Sequence, residues 1–184
     1  MKIISGEFKY RNIEIPIGIR PTTEKVREAV FSMIDDWIPS AVVFDMFAGS
    51  GVMGLEALSR GALKCYFNEG NRQNFRVLKA NVDHCKAEDK SVLMNYDYLN
   101  AINRIDDKLD IIIIDPPYEN LEYYDKVFTL VHEKNLLKEG GILVVEHLFK
   151  DKMKDEYNGL KKVKEKKYGT IGVDVFIKED ILII

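Results

Sequence analysis

Asp115-Pro116-Pro117-Tyr118 follows directly on the apolar run Leu109-Asp110-Ile111-Ile112-Ile113-Ile114. Proline has no N–H to give a sheet and drives the residue before it out of helical backbone, so Asp-Pro-Pro must leave the strand as a stiff, extended spur. Asp115 and the Pro116 carbonyl then become acceptors aimed away from the sheet, with an aromatic ring two residues on. Such a group suits a planar substrate that carries an exocyclic NH2. The two acceptors hold the amine protons, and Tyr118 stacks on the ring.

A strand must present that spur. Four consecutive isoleucines read as a strand buried on both faces, at the centre of a parallel sheet, where ligands bind beyond the carboxyl ends. A second such unit lies upstream. Val42 to Phe47 is an apolar run that leads into Asp45-Met46-Phe47-Ala48-Gly49-Ser50-Gly51, and a helical pattern spans Val52 to Arg60 with a stop at Gly61. Strand, glycine turn and helix make a nucleotide-binding unit, with Gly49 and Gly51 allowing close backbone approach and the helix amino terminus offering N–H groups. Gly49, Gly51 and Gly54 also satisfy the dinucleotide pattern G-x-G-x-x-G, and Glu69 lies near the place of a ribose-binding acid, so an NAD-binding oxidoreductase is one reading. Asp45 argues against it: a pyrophosphate gains nothing from a negative charge on that strand, whereas a cofactor's ammonium does.

Leu63 to Asn68 reads as a strand ending at Glu69, whose carboxylate can take both ribose hydroxyls. Val92 to Met94 reads as another, with Asp97 and Tyr98 just beyond, where an acid can accept from an adenine amine. Three acids thus follow three successive strands before the spur on the fourth. Asn71 to Cys85 and Tyr124 to Val131 carry helical spacing, Gly140-Gly141 turns into a strand Ile142 to Glu146, and Val173 to Lys178 alternates as a late strand. The pattern predicts an α/β domain with a mostly parallel sheet and an antiparallel edge.

At the amino end, Phe8 and Tyr10 alternate with Lys9 and Arg11, and Ile13, Ile15, Ile17 and Ile19 continue the alternation. Residues 1–21 are expected to form a β-hairpin extension, basic side outward, and residues 22–184 the main domain. Arg20-Pro21-Thr22 is the joint, and Thr22 or Thr23 caps a helix with Val26, Ala29, Val30, Met33, Ile34 and Trp37 at helical spacing.

Formal charge is −3 over 184 residues, but it is uneven. Residues 1–27 carry six Lys/Arg against three Glu, and residues 150–168 eight Lys against four acids, leaving the remainder near −10. Basic ends around an acidic middle fit a catalytic core flanked by segments that hold a polyanion. Cys65 and Cys85 form no Cys-x-x-Cys pair, and three scattered histidines have no metal-ligand spacing, so no metal is expected. Without a membrane-length apolar run or a signal segment at the amino terminus, the chain is expected to be soluble and cytoplasmic.

Phe44-Asp45-Met46-Phe47-Ala48-Gly49-Ser50-Gly51, Gly54-Leu55-Glu56-Ala57-Leu58-Ser59-Arg60-Gly61-Ala62 and Asp115-Pro116-Pro117-Tyr118 together resemble class I S-adenosylmethionine-dependent methyltransferases. With Arg20-Pro21-Thr22-Thr23, Val26-Arg27-Glu28-Ala29 and Tyr168-Gly169, the chain resembles the bacterial guanine-N2 methyltransferases of 16S ribosomal RNA, over nearly its whole length. The resemblance implies a Rossmann-like, seven-stranded sheet in the order 3-2-1-4-5-7-6, and a monomer acting on the small ribosomal subunit. It implies that Asp115, Pro116, Pro117 and Tyr118 are catalytic. Asp45, Phe47, Ala48, Gly49, Ser50, Gly51, Glu69, Asn71, Asp97 and Tyr98 would hold S-adenosylmethionine. Lys9, Arg11, Arg20, Thr22, Arg27 and Tyr168 would meet RNA. The same spur serves any flat NH2, so adenine-N6 methylation of DNA is an alternative. A non-catalytic ribosome-assembly factor keeping the fold is another.

Overall fold

A computed structural model describes residues 1–20, 22–116 and 122–179. The central strands form where the apolar runs are continuous. β1 (Val42–Asp45), β2 (Lys64–Asn68), β3 (Ser91–Met94), β4 (Leu109–Ile114) and the first part of the sheet's other half, β5 (Leu137–Leu148), all run parallel. β6 (Glu156–Tyr157), β7 (Leu160–Tyr168) and β8 (Ile171–Lys178) complete the sheet antiparallel. The order is β3-β2-β1-β4-β5-β8-β7-β6. Eight strands are therefore described where seven were expected. The addition is β6, a two-residue strand that folds the lysine-rich segment onto β7 at the sheet edge, and without it the order is the expected one.

Side chains alternate between two cores, one on each side of the sheet. Val43, Ile111, Ile113, Ile142 and Val144 face α1 (Glu24–Ile34), α2 (Val52–Ser59) and α3 (Arg72–His84). Phe44, Ile112, Ile114, Leu143 and Val145 face α4 (Tyr98–Asn103) and α5 (Glu122–Glu133). Burial on both faces is why these strands read as unbroken apolar runs. β5 starts earlier than Ile142. Its pairing with β4 shifts register between Leu109 and Ile111, and Gly140, with φ +80°, lies inside that irregularity instead of before the strand.

The amino-terminal ribbon differs from expectation. Lys2 and Asn12 form a single antiparallel bridge, and the Ile3 and Tyr10 N–H groups donate to the Arg11 and Ile3 carbonyls. Met1–Ile3 thus meets Tyr10–Ile13, and among the described residues the isoleucine stretch pairs with nothing as a strand. Pro16 has no donor, and Tyr10 (φ 71°) and Gly18 (φ +83°) take left-handed backbone, so the alternation cannot extend. Phe8 is buried and Tyr10 exposed, not on one face.

This arm is docked, not loose. Ile3, Phe8 and Ile13 join the core beneath α1 to α3. The Ile4 and Ser5 N–H groups donate to the two carboxylate oxygens of Glu56 at 2.9 and 3.1 Å, and the Phe8 N–H donates to Ser59 Oγ at 2.8 Å. Arg27, expected to meet RNA, is instead fully enclosed. Its Nε lies 3.5 Å from Glu56 Oε1 and its Nη2 donates to the Lys2 carbonyl at 2.6 Å. Helical spacing gives the reason: Arg27 shares a stripe with Val30, Phe31 and Ile34, all buried.

Candidate active site

β1 leads outward to β2 and β3, while β4 returns beside β1 on its other side and leads to β5. The chain reverses direction across the sheet between β1 and β4, which opens a crevice beyond their carboxyl ends. Asp45 ends β1, and Asp115 and Pro116 follow β4. The Met46 N–H donates to the Ile113 carbonyl at 3.2 Å and holds the two strand ends together. Pro117 and Tyr118 of the spur, and Pro21 of the arm joint, lie outside the described residues.

The glycine turn is built around two acids. Glu69 Oε1 accepts from the Gly49 N–H at 3.0 Å and its Oε2 from the Asn71 N–H at 2.8 Å. A carboxylate has about four acceptor sites, so each oxygen keeps one for a ligand hydroxyl. Asp45 Oδ2 accepts from the Gly54 N–H at 3.1 Å inside α2. Gly51 caps that helix in left-handed backbone, φ +85°. A Cβ there would stand 2.5 Å from Leu78 Cδ1, and one at Gly54 2.3 Å from the Phe67 ring. Gly51→Ala is expected to lower stability by about 2 kcal/mol, from left-handed strain plus overpacking, and to weaken cofactor binding by distorting the turn. Urea midpoints and calorimetric titration with S-adenosylhomocysteine read both effects.

Asp97 caps α4: its Oδ1 accepts from the Asn100 N–H at 3.0 Å and its Oδ2 from Asn100 Nδ2 at 2.6 Å. These Asn100 bonds hold its carboxyl below the ordinary range. It remains exposed at the crevice rim. Asn71 caps α3 through the Asn74 N–H. Ala48 and Ser50 are buried within the turn. Phe47 and Tyr98 come together with Tyr123, at ring separations of 5.5, 5.5 and 4.9 Å, as an aromatic wall beside Asp97.

Charge in the crevice is one-sided. Asp45 is 2% exposed. Burial first, and the nearby Glu69 carboxylate, push its carboxyl up to about 7 against the Gly54 hydrogen bond. Burial and the Glu146 and Asp45 carboxyls raise Asp115 well above the carboxylate range. Among the described residues, the charges that raise these two acids are the carboxyls of Glu69, Glu146 and Asp45. A ligand with a sulfonium and an ammonium, as S-adenosylmethionine has, fits such a pocket.

The sign of the pH effect follows. Because the folded-state value of Asp45 lies above the unfolded one, the folded protein holds a proton between about pH 4 and 7 that the unfolded chain has lost. Its contribution to stability falls as pH rises through that window. Asp45→Asn keeps an acceptor for Gly54 without the charge. The variant is expected to match the parent near pH 4, exceed it by about 1 to 3 kcal/mol at pH 8, and bind cofactor at least about tenfold more weakly. Denaturant midpoints at both pH values, with cofactor titrations, check this.

The residues expected at RNA divide. Lys9 and Arg20 are exposed, and Lys9 Nζ lies 5.0 Å from the Tyr10 ring centroid. Tyr168 ends β7 half-buried against the core. Arg11 is turned inward, its Nη1 donating to the Cys85 carbonyl at 2.5 Å. Thr22 Oγ1 lies 3.5 Å from Asp115 Oδ2, among the acids.

Three positioning residues have no role assigned from the sequence. Buried Asn81 accepts from the Glu14 N–H at 2.9 Å and donates to the Glu14 and Ser50 carbonyls at 2.8 Å each, joining arm, α3 and glycine turn. Asn68 Nδ2 donates to the Tyr96 carbonyl at 2.9 Å and fixes the β3 loop. Glu56 anchors the arm. A polar residue in an otherwise apolar helix, as Glu56 is in α2, was the available signal. Among the described residues no group of three or more His, Cys, Asp or Glu could hold a metal, and no helix is long and apolar enough to cross a membrane.

Residues 1–177 match a family model described as "Conserved hypothetical protein 95". The chain is 31% identical over 183 residues to a Bacillus subtilis protein provisionally named an rRNA methyltransferase, YlbH, covering 97% of this chain and 99% of that one. It is 34% identical over 148 residues to ribosomal RNA small subunit methyltransferase D of Buchnera aphidicola, covering 78% and 76%. An Escherichia coli structure, provisionally described as the methyltransferase yhhF, superposes with a TM-score of 0.88 at 27% identity over 97% of this chain and 98% of that one. With the methyltransferase strand order and an acid at the end of each of the strands that frame the crevice, these matches lead to one conclusion: the chain belongs to the ribosomal RNA small subunit methyltransferase D family.

Proposed function

We propose that this protein transfers a methyl group from S-adenosylmethionine to the exocyclic N2 amine of a guanine in 16S ribosomal RNA, as a cytoplasmic monomer acting on the small subunit or an assembly intermediate. The observation that carries the reading is Asp115 and Pro116 at the carboxyl end of β4, beside the Asp45–glycine turn. The names of the relatives support rRNA as substrate.

When bound, the cofactor supplies a methyl group already activated on a sulfonium. The protein's task is then placement and water exclusion. Glu69 would hold the ribose, Phe47, Tyr98 and Asp97 the adenine, and Asp45 the ammonium. The target guanine would leave its stack, and Asp115 and the Pro116 carbonyl would accept its amine protons, freeing the nitrogen lone pair for transfer. From their residue types alone, Pro117 would stiffen the spur and Tyr118 would stack on the base. Lys9, Arg20 and Tyr168 contact flanking RNA.

Labelled S-adenosylmethionine offered with undermethylated small subunits, deproteinised 16S RNA and DNA tests the substrate. Label is expected in subunit RNA. Label in DNA alone would discard the ribosomal reading and leave adenine-N6 transfer.

A further inference from the structure

β5 carries an acid, Glu146, to the same crevice. Glu146 is 8% exposed, and the β4–β5 register, Ile114 opposite Val145, sets it beside Asp115. Thr22 Oγ1 lies 3.4 Å from Glu146 Oε2 and 3.5 Å from Asp115 Oδ2. Its hydroxyl has one proton to give, so it cannot satisfy both oxygens. Two buried carboxyl groups that reach the same hydroxyl resist double ionisation, because like charges at that range favour one of them keeping a proton. Among the described residues, Glu146 from β5, Asp45 from β1, Tyr124 from α5 and Thr22, just before α1, face Asp115. The Tyr124 hydroxyl donates to the Glu146 carbonyl at 3.1 Å, and burial with these two acids pushes the phenol up, so it stays a neutral donor.

We propose that Glu146 is a positioning residue for methyl transfer, sharing one proton with Asp115 so that the pair meets the substrate amine with a single negative charge and takes up the proton the amine sheds. The proposal rests on the spur being the amine-holding site. The step balances. The nitrogen lone pair forms the N–C bond while the C–S bond breaks, and sulfur keeps that bond's electrons and becomes a neutral thioether. The nitrogen, now cationic, gives a proton to the singly charged pair. The pair becomes the neutral diacid and returns that proton to solvent as product leaves.

Glu146→Gln separates this role from a structural one. The amide fills the same space and donates an N–H to Asp115, which then ionises without sharing. The acidic limb of the kcat profile on undermethylated small subunits is expected to move at least about one pH unit lower, with KM values within about twofold and the thermal midpoint little changed. Glu146→Ala is expected to lower kcat at least about tenfold, and Gln to restore it. Carbon-13 carboxyl NMR of the ligand-free protein supplies a readout independent of turnover. The Asp115 signal is expected to titrate above the ordinary carboxylate range in the parent and at lower pH in Glu146→Gln. An unchanged pH profile in Glu146→Gln, or an Asp115 signal titrating in the ordinary carboxylate range in the parent, overturns the proposal. A raised Asp115 titration that falls in Glu146→Gln, without turnover on any nucleic acid, supports the pairing and overturns the substrate reading instead.

Discussion

Asp115→Ala is expected to lower turnover by about 10²- to 10³-fold while leaving S-adenosylhomocysteine affinity within about threefold. The asymmetry follows from the side chain's place. Asp115 follows β4, on the spur side of the crevice, where its Oδ2 accepts from the Thr22 hydroxyl. The glycine turn, by contrast, is held by Glu69 and Asp45. Removing the carboxylate deprives the amine of an acceptor and leaves the cofactor cradle intact. Single-turnover rates with calorimetric titration separate the two effects, and equal loss of rate and affinity would move Asp115 from the substrate to the cofactor. Removing one acid from a crevice of buried acids also lowers their mutual repulsion, so the folded protein is expected to be no less stable than the parent near neutral pH.

Arg27→Met is the variant expected to cost most in stability. Burial lowers the guanidinium's pKa from its usual value, with Glu56 opposing that shift. Removing one partner of a buried pair costs about 3 to 5 kcal/mol when the other is left alone. Glu56 is not left alone: Arg60 Nε remains at 3.1 Å, and the Ile4 and Ser5 N–H groups still donate to it. The expected loss is therefore about 2 to 4 kcal/mol, or a thermal midpoint lower by roughly 5 to 15 °C for a chain of this size. The Lys2 carbonyl loses its donor as well, so faster amide exchange over residues 2–5 should accompany the loss. In a cycle with Glu56→Gln, the double variant should recover part of it. Additive losses would show that the pair is not coupled.

Arg27 also shows where reading the chain fails. Its type suggested a polyanion contact, yet its spacing with Val30, Phe31 and Ile34 already put it on the buried stripe of α1. Residue type and position disagreed, and position decided. The isoleucine alternation of the arm failed in the opposite way: periodicity was present, but Pro16 and the positive φ of Gly18 withhold the backbone a ladder needs. The site itself was more legible. β1 and β4 are buried on both faces, so their runs, and the acids that follow them, stand out without knowledge of pairing. Glu146 did not stand out. An acid at the end of a strand reads the same whether it caps a turn or faces another acid, and only the parallel register of β4 with β5, Ile114 opposite Val145, brings it to Asp115.

The identity of the methylated atom tests the account most directly. Subunit RNA labelled by the protein, digested to nucleosides and resolved by mass spectrometry, is expected to yield N2-methylguanosine, with the signal lost in Asp115→Ala. Label on a ring nitrogen or a ring carbon would contradict a spur that works by accepting the protons of an exocyclic amine.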